Sequence, residues 1–126
     1  MVFVCQHGAA KSVLAAALLE RLAAEHGISL RALARGTEPE PQVAPAVIAG
    51  LVIQGVDVTA WRPRPLTPGD LAKAWWVVSF GPDLSHLLPK GTPMEVWDGI
   101  PAVADGLQAA RAAIAGRLPR LIKDDA

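Results

Sequence analysis

The sequence predicts an α/β fold, a three-layer sandwich with a central four-stranded parallel sheet and helices on both faces. Two observations predict it. Strand-like and helix-like segments alternate in the order β-α-β-α-(α)-β-β-α, and such alternation implies a parallel sheet covered on both sides. The runs at Val2–Val4 and Trp75–Phe80 ("WWVVSF") are continuously apolar, as in strands buried on both faces. With 126 residues, the chain suffices for one domain with a core and is too short for two ordinary ones, so residues 1–126 are read as a single domain.

Val2–Val4 opens the chain as a central strand. From Ser12 to Glu25 the residues are strong helix formers, with Leu14, Leu18 and Leu22 at four-residue spacing and Glu20, Arg21 and Glu25 off that stripe. His26-Gly27 provides the stop. Ile28–Ala34 alternates as a second strand, followed by the loop "GTEPEP". Pro45–Gln54 reads as a second helix, opened by proline and closed by Gly55. Pro63, Pro65 and Pro68 crowd the next stretch and forbid a central strand there. Thr67 caps a short helix running to about Ala74, with Pro68 in its first turn. Trp75–Phe80 is the third strand, broken by Gly81-Pro82, and "MEVWDG" holds a fourth. Ala102–Ile122 reads as a closing helix, with Leu107, Ala110, Ile114, Leu118 and Leu121 on one face.

The composition narrows the function classes. Apolar residues make up 52%, charged residues 19%, and the formal net charge is zero; this suits a soluble globular protein and argues against a nucleic-acid binder, which carries a basic excess. No apolar run reaches the roughly 18 residues of a membrane span. The opening residues lack the basic start of a signal peptide. A single cysteine forbids an internal disulfide and suits a reducing cytosol. His7, His26 and His86 show no metal-ligand spacing with one another or with Cys5, so neither metal nor cofactor is expected.

Chemistry concentrates in "VFVCQHGAAKS" (Val2–Ser12). Cys5 ends a strand at the edge where an open α/β sheet binds ligands. Gly8, Ala9 and Ala10 are small enough to let backbone N–H groups turn inward as an anion nest, and the next helix aims its positive end at the same spot. Such a setting stabilises thiolate over thiol. Ser12 is placed to hydrogen-bond Cys5 or the loop, and Lys11 adds a full charge. Two readings stand on spacing alone: a packing thiol at a strand end, or a nucleophile facing a bound tetrahedral oxyanion.

The same stretch, continued as "VFVCQHGAAKSVLAAALLERL", resembles the opening of the low-molecular-weight protein tyrosine phosphatase superfamily, whose signature is Cys, five residues, Arg, Ser. It is most similar to that superfamily's arsenate reductases, where the loop often reads C-x-H-N-A-G-R-S; Cys5, His7, Ala9 and Ser12 fall on matching positions. "ARGTEPEPQVAP" is similar to the S-A-G-T-E-P segment after the second strand, and "GVDVTAWRPRPLT" to a G-I-D-I-S…P-x-x-L-T segment. The resemblance spans essentially the whole chain. It implies a flavodoxin-like sheet, Cys5 as nucleophile, and a phosphate- or arsenate-like oxyanion held by loop residues Gln6, His7, Gly8, Ala9 and Ala10 with Lys11 and Ser12.

Three departures stand out. Lys11 occupies the family's arginine position, keeping the charge while losing the fork that grips two oxygens. Gly8 replaces the asparagine that braces the loop, yet glycine still adopts the left-handed backbone such a turn needs. The Asp-Pro general acid is missing, since Ile100 precedes Pro101. Asp98 is the nearest substitute acid and otherwise a turn residue in Asp-Gly; Asp105 is a poorer substitute. Arg35, after the second strand, either supplies the lost guanidinium or is a solvated strand-end arginine. His7 positions the anion, stabilises the thiolate, or bonds the backbone. Trp75, Trp76 and Trp97 are expected to cover the sheet, and Trp61 to rim the pocket.

Three functions follow from these expectations. The favoured one is a single-cysteine arsenate reductase, whose adduct on Cys5 is resolved by an external small thiol or redoxin. The second is a phosphomonoesterase of the tyrosine phosphatase type, with Lys11 as oxyanion clamp and Asp98 as acid. The third is an oxyanion-binding module that has lost turnover.

Overall fold

The computed structural model describes residues 1–122. Its strands are β1 (Val2–Cys5), β2 (Leu33–Gly36), β3 (Val77–Ser79) and β4 (Met94–Val96). All pairings are parallel and the spatial order is β2-β1-β3-β4. The helices are α1 (Lys11–Glu25), α2 (Pro45–Ile53), α3 (Pro68–Lys73), α4 (Leu107–Ala115) and α5 (Pro119–Ile122). This is the flavodoxin-like α/β fold. The chain leaves β1 for β2 on one side and crosses to β3 on the other, so the switch point lies between β1 and β3.

The two-residue period of a strand divides β1 between two cores. Val2 and Val4 pack with Leu71 of α3, Val77 and Leu84. Phe3 and Cys5 face the larger core, built from α1, Val47 and Leu51 of α2, and Ala110 and Ile114 of α4. Because α1 lies between the sheet and α2 and α4, it buries Ser12 through Leu19 without a break, more than its leucine stripe alone suggested. Phe3, Phe80 and Trp97 form an aromatic cluster beneath the carboxyl edge, with ring centroids 5.7–6.2 Å apart. Helix starts follow local chemistry: Thr67 and Asp70 form a reciprocal capping box on α3, and Pro45 opens α2.

Several boundaries differ from the sequence expectation. The second strand is Leu33–Gly36 rather than Ile28–Ala34, because β1 offers only four partners, Val2–Cys5, and these align with Leu33–Gly36. The third strand contracts to Val77–Ser79. Trp75 lies outside it and is 51% exposed, so it does not cover the sheet, whereas Trp97 is buried and Trp76 half-buried. The closing helix is broken into a 3₁₀ turn (Val103–Asp105), α4 and α5. Gly106 at φ 148° has left helical space, and Pro119 lacks the N–H that would continue α4. Its apolar face survives, with Ala110, Ile114 and Leu118 all buried. Among the described residues no helix is long and apolar enough to cross a membrane.

Truncating the aromatic cluster is expected to be costly: Phe3→Ala should lower stability by about 3–5 kcal/mol, while Trp75→Ala should stay within about 0.5 kcal/mol of the parent. Urea unfolding of both variants measures the difference.

Candidate active site

β1 carries Cys5 to the carboxyl edge of the sheet, and Gln6–Ala10 join it to α1. The thiol is 8% exposed, and its Sγ lies 3.0 Å from Oγ of the fully buried Ser12. When the sulfur is ionised, the hydroxyl donates and the sulfur accepts.

Two glycines set the shape of the loop. Gly8 has φ +61°, and a Cβ there would sit 2.9 Å from the Gly36 amide nitrogen. A Cβ on Gly36 would sit 2.7 Å from the Gly8 nitrogen. Gly36 is the register partner of Cys5, so the close approach fixes the loop against the end of β2. The segment after β2 then runs alongside. Thr37 N donates to Cys5 O (3.2 Å), Glu38 N to Gln6 O (2.7 Å), Glu40 N to His7 O (3.0 Å) and Ala44 N to Ala9 O (2.8 Å).

That strap consumes the carbonyls of the loop and leaves its amides. Among the described residues, the N–H groups of Gln6, His7, Gly8, Ala9 and Ala10 donate no hydrogen bond to protein, although Gly8 and Ala9 are buried. Backbone amides without protein partners gathered in one short loop are a geometry suited to an anion. The start of α1 repeats the pattern. Ala10 at its N-cap offers no side-chain acceptor, its first turn holds no acidic residue, and it opens with Lys11. A helix normally avoids this combination; here it concentrates positive potential beside the thiol. Lys11 is half-buried and makes no ion pair among the described residues.

A cavity of about 610 Å³ opens over these groups, lined by Cys5, Gln6, His7, Ala9, Ala10 and Lys11 on one side and by Phe80, Ala102 and Val103 on another. The structure thus gathers most of the expected residues, with Gly8 buried in the same loop and Ser12 behind the thiol.

Arg35 is not among them. It is the register partner of Val4, so its side chain leaves the sheet on the α3 face, opposite to Cys5. There its Nε donates to Asp70 Oδ2 (3.0 Å) and its guanidinium to Ala34 O (2.9 Å). Burial pushes the Asp70 carboxyl up, but the hydrogen bonds from Thr67 and Arg35 outweigh it and hold the group below the usual carboxylate range. Asp98 is exposed in a turn closed by Gly99 (φ 77°) and does not line the cavity; neither does Asp105. Apolar Ala102 and Val103 stand on that wall instead. Trp61 lies with Arg62 and Arg64 beyond β2 and does not rim the cavity.

Glu40 was missed. It lines the cavity, and its Oε1 lies 3.6 Å from His7 Nδ1, which is also 3.3 Å from Glu38 O. Gly36 aligned with Cys5 was the available clue, since the segment just beyond β2 must then pass the loop. Among the described residues no three His, Cys, Asp or Glu side chains gather to hold a metal.

A thiol at the switch point of a parallel sheet, under unpaired amides and an uncapped helix start, defines a class of flavodoxin-like proteins shaped around an anion. The chain belongs to the low molecular weight phosphotyrosine protein phosphatase family, whose model matches residues 1–93. Among solved structures, an arsenate reductase from Archaeoglobus fulgidus is 26% identical, with 98% of both chains covered and a TM-score of 0.78. The thioredoxin-dependent arsenate reductase of Corynebacterium glutamicum is 28% identical over 97% of this chain, with a TM-score of 0.81; the match spans 59% of that enzyme's length. A low molecular weight protein tyrosine phosphatase from T. tengcongensis, 18% identical over 97% of this chain and 96% of its own, shares the fold with a TM-score of 0.84. No curated protein matches the chain significantly.

Gly36→Ala should drive a methyl into the Gly8 backbone, lowering stability by about 1–3 kcal/mol and weakening phosphate binding; urea titration and calorimetry measure the two effects. Asp70→Asn tests the second contact. Because the Asp70 carboxyl is held low in the fold, its contribution is present above its ordinary value of 3.8 and is lost as pH falls through the lowered one. The parent should therefore lose stability relative to Asp70→Asn on acidification below about pH 4, read from thermal midpoints across pH.

Proposed function

We propose that this chain is a single-cysteine arsenate reductase-like enzyme that works with an external thiol. The observation that carries the reading is the set of unpaired amides from Gln6 to Ala10 around a thiol already hydrogen-bonded to Ser12. In this reading the Cys5 thiolate attacks arsenic. An S–As bond forms, an As–O bond breaks, and the departing oxygen takes a proton and leaves as water. An external thiol then attacks the Cys5 sulfur. The S–As electron pair passes to arsenic, which leaves as arsenite, and Cys5 remains in a mixed disulfide. A second thiol frees Cys5 and carries away the disulfide, so two thiols supply the two electrons that arsenic gains. The 126 residues contain one cysteine, which is why both thiols are assigned to other molecules. A reducing cytosol suits this chemistry.

Two features favour arsenate over aryl phosphate. Both arsenate reductases compared are more than 25% identical to this chain. The wall formed by Ala102 and Val103 bears no carboxylate, and general acid help, worth about 10²–10⁴-fold, matters most when a poor alkoxide or phenoxide must leave. Lys11 supplies charge to the bound oxyanion without a two-pronged grip. The second reading, a phosphomonoesterase, is favoured by one observation: Glu40 places a carboxylate on the same cavity.

The purified chain should reduce arsenate in a thiol-dependent reaction that Cys5→Ser abolishes. Lys11→Arg adds a charge-assisted hydrogen bond worth about 1.5–3 kcal/mol, so it should raise turnover about 10–100-fold. Aryl phosphate hydrolysis exceeding arsenate reduction would move the assignment to the phosphomonoesterase. Phosphate binding without turnover in the parent or in Lys11→Arg would make the chain a binding module.

A further inference from the structure

We propose that His7 is the proton donor to the leaving oxygen and that Glu40 is its positioning residue, together replacing the absent Asp-Pro acid. The inference rests on the reading that Cys5 attacks a bound oxyanion. Its observation is a juxtaposition: His7 and Glu40 both line the cavity that holds Cys5, and their side chains face one another at 3.6 Å.

The geometry distinguishes the two ring nitrogens. Nδ1 lies 3.3 Å from the Glu38 carbonyl, a hydrogen-bond distance, and 3.6 Å from the Glu40 carboxylate, an ion-pair distance. With Nδ1 carrying hydrogen toward these acceptors, Nε2 is the ring nitrogen assigned to the ligand in this proposal. The pairing is built into the backbone as well, because Glu40 N donates to His7 O at 3.0 Å and Glu38 N to Gln6 O at 2.7 Å. His7 and Glu40 therefore keep their relative positions even though both side chains are half exposed.

Departure of water from arsenic depends on a general acid less than departure of an alkoxide or phenoxide does, yet a proton delivered from the cavity still accelerates it. As the S–As bond forms, the As–O bond breaks with its electron pair on oxygen. That oxygen takes the Nε2 proton and leaves as water, and the imidazole is left neutral until solvent reprotonates it. No electrons are exchanged in this step. Imidazole is the side chain that gains and loses protons in the neutral range. Beside His7, the charged side chains that line the cavity are Glu40 and Lys11. Asp98 and Asp105 do not line the cavity, so Glu40 is the lining carboxylate among the described residues.

The test measures arsenate reduction at saturating small-molecule thiol from pH 5.5 to 9, with Cys5→Ser, His7→Gln, Glu40→Gln, Glu40→Asp and, as a control outside the cavity, His86→Gln. His7→Gln should lower kcat about 100-fold, within the range of general acid catalysis, leave KM for arsenate within about twofold, and abolish the alkaline limb of the profile. Glu40→Gln should lower kcat about tenfold while leaving KM for arsenate within about twofold, and Glu40→Asp should partly restore kcat; His86→Gln should match the parent. A limb and a kcat that survive His7→Gln, in a parent whose turnover depends on Cys5, overturn this inference alone. An unchanged kcat in Glu40→Gln overturns the role of Glu40. Absence of any Cys5-dependent turnover overturns the parent reading and this inference together.

Discussion

The contact between Gly8 and Gly36 is the constraint on which the rest of the site depends. Two backbones meet at the carboxyl ends of neighbouring strands with no room for a Cβ on either side. That approach lets the segment after β2 run beside the anion loop and take up the carbonyls of Cys5, Gln6, His7 and Ala9. Once those carbonyls are engaged, the loop amides are left without protein partners among the described residues. The unpaired state of the loop thus follows from a steric fact one strand away.

The same logic explains why Lys11 is tolerated. A cation at the first position of an uncapped helix opposes the helix dipole, and the loop adds further unpaired donors. These features cost stability locally, since no side chain or acidic group offsets them. Residues that break local rules together at one place mark function. The extensive burial of α1 between sheet and helices supplies the rigidity that holds the arrangement.

The strand–loop–helix that carries Cys5 was legible in the sequence because a buried apolar run and small residues before a helix are local signals. The order of strands was legible for the same reason. Arg35 was not. Its face depends on which residue of the second strand aligns with Cys5, and a strand read as Ile28–Ala34 conceals that Gly36 is the partner. Asp98 and Glu40 illustrate the complementary difficulty. Irregular chain carries no period, so which carboxylate reaches the cavity depends on tertiary path. The unbroken closing helix was an error of a different kind: the apolar face was real, but Gly106 and Pro119 outrank periodicity.

The two walls of the cavity differ in kind. One is main chain bonded to main chain, where a Cβ at Gly8 or Gly36 would disturb the scaffold. The other includes Ala102 and Val103, where the chain enters a short 3₁₀ turn ended by Gly106. A scaffold divided in this way separates what must persist from what is free to vary. Substitutions on the second wall can change the lining of the cavity while the backbone of the loop that carries the thiol stays fixed.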